Sequence, residues 1–353
     1  MTRTKGLTIT AATAAACLVL AGCGGSSEGG GGGGGGGDAA GGDLPVVTIS
    51  ALPSLGYTSL FLTAEKYDEQ FGVDVHIEIA SRGDEIFQDV ISGQTNLGAS
   101  TGVQAFNAVD QGLPMKFVAP VNYGFNEDYF MIAAKSKEEA QAIAADPSRL
   151  RDQTFAASAP GAMTDISLDS MLKESGVTGG VDDITIQNMP FPEHVSAMAS
   201  NAVVGSATGE PNATLAEQNG AGFRPYDTPT DPSKRVLIVM LAVNTQWAAD
   251  NGETMQKFMN AYQAAAQDLE DNGYKSDDAV AASTTYTDLD PELIQSLRLS
   301  VLPGDLEINM DNVEAQQDYL LHRDLLAYDE PMDVEDLFDF TWRDAAVKQA
   351  GDN

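Results

Sequence analysis

The sequence predicts two α/β lobes, and three observations carry that expectation. Strand-like and helix-like runs alternate from Val46 to Ala119 with short connections. The alternation pauses near residue 130 and resumes to residue 219. A last strand-like run at 236–241 then leads into an almost wholly helical tail. Such alternation implies right-handed βαβ units on largely parallel sheets.

Val46-Val47-Thr48-Ile49-Ser50 is the first strand, followed by a loop holding Pro53 and Gly56. Leu60, Phe61, Ala64, Tyr67 and Phe71 recur at helical spacing, and residues 73–79 alternate with the period of a half-buried strand. Ile86, Phe87, Val90 and Ile91 mark a second helix closed by Gly93. Asn96 to Ser100 reads as a short buried strand, 103–111 as a helix ending at Gly112, and Met115 to Ala119 as a fourth strand. After Tyr129-Phe130-Met131-Ile132 come helix 137–144, strand 154–157, helix 164–175, strand 184–186, helix 193–201, strand 203–205 and helix 212–219. Past the strand at 236–241, helices are expected at 247–271, 276–283, 291–299 and 311–326. The expected division is residues 44–132 plus 240–353 for one lobe and 133–239 for the other, with crossings near 130–135 and 236–244.

The N-terminus reads as a processing signal. Arg3 and Lys5 precede a modest apolar stretch from Leu7 to Leu20, too short to span a bilayer. It ends in Leu20-Ala21-Gly22-Cys23, which resembles the bacterial lipobox. That resemblance implies a signal over residues 1–22, a lipidated Cys23 as first mature residue, and a chain held at the extracytoplasmic face of the cell membrane. Cys17 lies inside the signal, so Cys23 would stand alone and no disulfide is expected. Gly24 to Gly42 holds 13 glycines in 19 residues, a composition that buries no core, and 23–43 reads as a tether. A coil of that length holds its cargo about 20–30 Å from the anchor.

Nineteen basic residues against 52 acidic ones give a net charge of −33. With no basic run, the chain is not built for nucleic acid or anionic lipid. The acidity suits a self-repelling, solvated surface, and a monomer is expected.

Several segments are similar to those of the binding proteins of ABC importers for nitrate, taurine, alkanesulfonates and thiamine precursors. They are Glu65-Lys66-Tyr67 with Phe71-Gly72-Val73-Asp74-Val75, Gly93-Gln94-Thr95-Asn96-Leu97-Gly98 and Gly112-Leu113-Pro114-Met115-Lys116. In the second half, Asp146 to Gln153, Asn201 to Gly205 and Gly209-Glu210-Pro211 continue the likeness, which runs loosely over residues 45–345. Asn96 and Val204 depart from it, each standing where the family usually has Asp. The resemblance implies a periplasmic binding protein type 2 fold, α/β, with two lobes closing on a ligand in the cleft. It also implies a small-molecule ligand and, as partners, an ABC permease and its ATPase. Other readings are a surface receptor for a sensor kinase, or a pyrimidine-synthesising enzyme of the same fold that draws on a buried histidine and cysteine.

In open α/β sheets ligands sit beyond the carboxyl ends of the strands. That places Ser54 and Tyr57, Ser81 and Arg82, Ser100 and Thr101, and Asn122 and Tyr123 at the cleft on one lobe. On the other, Gly161, Ala162 and Thr164 open a helix whose N–H groups and dipole favour an anion or carbonyl oxygen, with Thr164 also suited to capping. Arg82 offers a guanidinium fork for a carboxylate, sulfonate or phosphate, or an ion pair for Asp84 or Glu85. Glu210 is matched to the family's acid, which in some members meets a ligand amine. It is also a helix N-terminal acid ahead of Pro211. Tyr57 and Tyr123 suit flat cleft walls, whereas Phe125 and Phe191 suit core packing. His76, His194 and His322 lack metal-ligand spacing, and no G-x-S-x-G turn occurs. His76 is expected to point outward and His194 to lie exposed or near the hinge. No catalysis, cofactor or metal is expected.

Overall fold

A computed structural model describes residues 44–100, 103–299 and 301–352. The signal, Cys23, the glycine tether and Thr101 lie outside the described residues. The first sheet holds β1 (Val46–Ala51), β2 (Asp74–Ile79), β3 (Leu97–Ser100), β4 (Met115–Gly124) and β9 (Val236–Asn244), in the order β2-β1-β3-β9-β4. The second holds β5 (Phe130–Ile132), β6 (Thr154–Ala157), β7 (Thr185–Asn188) and β8 (Gly205–Ala207), in the order β5-β8-β6-β7. β1 pairs parallel with β2 and β3, and β6 with β7 and β8; β9 and β5 are the antiparallel members. β9 lies between β3 and β4 and reads as a nearly unbroken apolar run because helices cover both its faces.

The sheets divide the chain slightly differently from the expected boundaries. β5 belongs to the second sheet and β9 to the first from Val236 onward. The connections between sheets therefore run through 125–129 and the stretch before 236, each just ahead of the crossings expected near 130–135 and 236–244. β4 also continues five residues past Ala119. Pro120 cannot donate to a ladder, so the strand carries register shifts at Pro120/Asn122 and Asn122/Tyr123 instead of ending.

The longer helices are α1 (58–71), α2 (Gly83–Ser92), α3 (Val103–Asp110), α4 (Lys137–Ala144), α5 (Met163–Glu174), α6 (Phe191–Ala199), α7 (Asn212–Gln218), α8 (Gly252–Asn272), α9 (Asp277–Thr287), α10 (Met310–His322) and α11 (Thr341–Gly351), and short helical segments stand at Asn126–Tyr129, Thr245–Asp250 and Pro291–Ser296. α1 contains a π turn at Thr63–Tyr67. α8 buries Met255, Phe258, Met259, Tyr262, Ala265, Ala266 and Leu269 at helical spacing against one face of the first sheet. Tyr262 Oη donates to the Pro120 carbonyl at 2.7 Å, so the helix is tied to the bulged strand.

A second apolar cluster runs without a break from Phe87, Phe106 and Phe117 beside the first sheet to Phe130, Phe155 and Leu168 in the second. α10 completes it with Val313 and Leu320. That helix is anchored to both sides. Asn312 and Gln316 hydrogen-bond the backbone of Leu237 in β9, while Tyr319 reaches α5.

Candidate functional site

At the carboxyl end of β1, Ser54 caps a tight turn and its Oγ accepts from the Gly56 N–H. Asn122, set inward by the β4 irregularities, donates from Nδ2 to the Gly56 carbonyl at 2.5 Å. Its Oδ1 is buried with no hydrogen-bond partner among the described residues, an acceptor held ready beside the turn. Tyr57 stands next to this pair but turns into the core, 4% exposed and stacked on Phe61. Burial pushes its phenol pKa up.

At the ends of β2 and β3, Arg82 is exposed at the N-cap of α2, and the Ser81 N–H donates to Glu85 Oε2 at 3.0 Å. Ser100 is buried and its Oγ donates to the Gly83 carbonyl at 3.3 Å. The structure thus brings Arg82 and Ser100 to one end of α2.

Across from them lies the turn before α5. Gly161 has φ +74°, a left-handed conformation, and a Cβ there would stand 2.6 Å from Val103 Cγ2 and 2.9 Å from Leu320 Cδ2. Only glycine fits. Because Val103 follows β3 and Gly161 follows β6, this contact sets the carboxyl ends of the two sheets face to face. Thr164 shares a hydrogen bond with Ser158 at 3.0 Å, and Ala162 occupies the N-cap without a side-chain bond.

Sequence reading missed Asp165, which takes the Gly161 N–H at 3.1 Å and the Tyr319 hydroxyl at 2.8 Å. Buried to 1% exposure, it keeps Oδ1 without a partner, and desolvation raises its pKa. The helix entrance is therefore partly occupied by its own carboxylate. The local sign was an acid in the first helical turn.

Two expectations are corrected. Glu210 does not wait for a ligand amine. Its carboxylate accepts from Thr214 N and Oγ1, from Arg224 Nη1 at 2.6 Å and from the Arg298 N–H at 3.0 Å. Arg224, only 2% exposed, also grips Glu217 through Nε and Nη2. Burial alone would raise the Glu217 carboxyl pKa, but hydrogen bonds and charge from Arg224 outweigh it and hold the group below its ordinary range. Tyr123 is likewise no cleft wall. Its hydroxyl donates to the Glu307 carbonyl and accepts from Asn309 N–H, and burial pushes its pKa up to about 12. Its backbone pairs with Val301 at the open edge of β4, which explains the inward turn.

Phe125 is 8% exposed, and Phe191 stands edge-on to His194. His194 is fully buried rather than exposed, with Nε2 bonded to the Met189 carbonyl and its pKa lowered by desolvation. His76 is exposed beside Asp74, and His322 beside Asp182. Among the described residues no group of three His, Cys, Asp or Glu could hold a metal ion, and no helix is long and apolar enough to cross a membrane.

The same fold occurs in solved structures of low identity. The ligand-binding component of an ABC-type import system from Staphylococcus aureus, solved with zinc bound, superposes with a TM-score of 0.69 at 16% identity, covering 86% of this chain and 99% of that one. The periplasmic aliphatic sulphonate-binding protein SsuA from Escherichia coli gives 0.63 at 15%, covering 83% and 92%. The desulfurization enzyme DSZB gives 0.59 at 13%, covering 87% and 99%. No curated protein sequence matches the chain. The fold is thus the α/β periplasmic binding protein fold. Residues 41–283 match the NMT1-like family, more than half of the sequence, and the chain belongs to that family.

Proposed function

We propose that the chain is an extracytoplasmic solute-binding lipoprotein that captures a small organic anion between its lobes for an ABC permease and its ATPase. One observation supports this reading: Gly161, just after β6, packs closely on Val103, just after β3, so carboxyl ends of the two sheets meet. The ligand's charged end is assigned to Arg82 with Ser100, and its polar body to Ser54 and the open Asn122 Oδ1. From the facing lobe, Gly161, Ala162 and Thr164 contribute the entrance of α5. Glu210, engaged by Arg224, is left out of ligand recognition, so the ligand needs an anionic head and no amine. Binding is favoured over catalysis because both cysteines, Cys17 and Cys23, precede the folded unit, which leaves the buried His194 no thiol to work with.

A thermal-shift screen of organic sulfonates, carboxylates and phosphate esters tests the reading. A ligand held only by the folded state stabilises it by about 2.7 kcal/mol at a hundredfold excess over its dissociation constant. No stabilisation by any member of those classes would remove the anion assignment. The anchor has its own test. Cys23→Ser should move the protein from the membrane fraction to the soluble one with ligand affinity unchanged, because a lipidated cysteine supplies the chains that make anchoring stable. Continued membrane association of that variant would contradict lipidation.

A further inference from the structure

A cavity of about 630 Å³ lies away from the Gly161 gap, where both connections between the sheets pass the end of α8. Asp128 comes from the first connection, Thr228 and Arg235 from the second, and Leu297, Leu299 and Leu302 form an apolar side. Arg298 spans the cavity. Its Nη1 donates to Asp128 Oδ1 at 3.1 Å and to Thr228 Oγ1 at 3.2 Å, while its backbone N–H goes to Glu210 Oε1 at 3.0 Å. Arg235 is half-buried, and its Nε is shielded from water with no partner among the described residues.

In a chain with 52 acidic residues, a half-buried arginine without a carboxylate is out of keeping with the overall charge. The acids at this cavity are already engaged: Asp128 accepts from Thr228 and Arg298, and Glu270 accepts the Gly304 N–H. A guanidinium so placed costs desolvation that a bound anion would offset. The volume falls within the roughly 300–1,000 Å³ of small-molecule sites, and such sites pair apolar walls with a few fixed polar groups.

We propose that this cavity is a second binding site, taking an organic anion whose head sits on Arg235 and Arg298 and whose apolar body lies on Leu297, Leu299 and Leu302. The site is independent of Arg82 and of the transported ligand. Calorimetry of the full chain with hexanesulfonate, and separately with inorganic sulfate, tests it. Measured in the Arg82→Ala background, which lacks the cleft's cation, hexanesulfonate should still bind, and adding Arg235→Gln should weaken it about tenfold or more. Leu299→Trp, which fills the cavity without touching charge, should also abolish it. Sulfate alone should bind about tenfold more weakly or worse, since it lacks the apolar body. Two results would overturn the proposal: no hexanesulfonate binding in the Arg82→Ala background, which would place the probe in the cleft, or equal binding there with and without Arg235→Gln. Binding of sulfate as tight as hexanesulfonate would overturn the assignment of an apolar body.

Discussion

Arg224→Ala should lower folding stability by about 3–5 kcal/mol, the range for breaking a buried ion pair by removing one partner. The guanidinium is 2% exposed and satisfies Glu210, Glu217 and Thr214 together, so alanine leaves two carboxylates facing a low-dielectric interior. Urea unfolding at neutral pH measures the loss. The pH dependence separates this cause from simple loss of packing. Glu217 has a folded pKa below its ordinary value, so its contribution is present above the unfolded pKa of about 4.3 and disappears as pH falls through the lower folded value. Arg224→Ala should therefore flatten the acid-side decline in stability as pH falls below about 5. An unchanged acid limb with a small loss at neutral pH would mean that the pair contributes little.

Arg82→Ala should weaken the transported ligand about thirtyfold or more, from roughly 2 kcal/mol upward, with an unchanged melting temperature of the free protein. The side chain is exposed at the N-cap of α2, so its removal should leave the fold intact. The chain's net charge of −33 repels anions, which makes a fixed cation at the gap more consequential than in a neutral protein. Calorimetry with the thermal-shift ligand decides the matter. Equal affinities would reduce Arg82 to a surface cation at the start of α2.

Much of the architecture was legible in sequence because it rests on periodicity and punctuation. Helix 137–144 and strand 154–157 stand where the pattern put them, and Gly93 closes its helix as expected, in the left-handed conformation. The second half of β4 was not legible, since Pro120 looks like a terminator and only the facing strand β9 keeps the run extended. α11 was missed as well. Its pattern is weakly amphipathic, and its place is set by long-range bonds such as Gln256 Nε2 to the Trp342 carbonyl. The strand-end rule named Arg82, Ser100, Asn122 and Gly161, which do stand at or just beyond strand ends in the fold. It could not tell that Glu210 would meet Arg224, 14 residues later, or that Tyr123 would be claimed by the returning segment at 301–309. His194 shows the same limit, because a histidine at a helix start looks solvated until the sheet behind it is known.

Uptake tests the central claim most directly. Cells lacking this chain, but retaining the permease and ATPase, should fail to import the radiolabelled thermal-shift ligand at low external concentration. Wild-type protein should restore uptake, and Arg82→Ala should restore little of it. Normal uptake without the chain, or full rescue by Arg82→Ala, would contradict the account of an anion-capturing component of an importer.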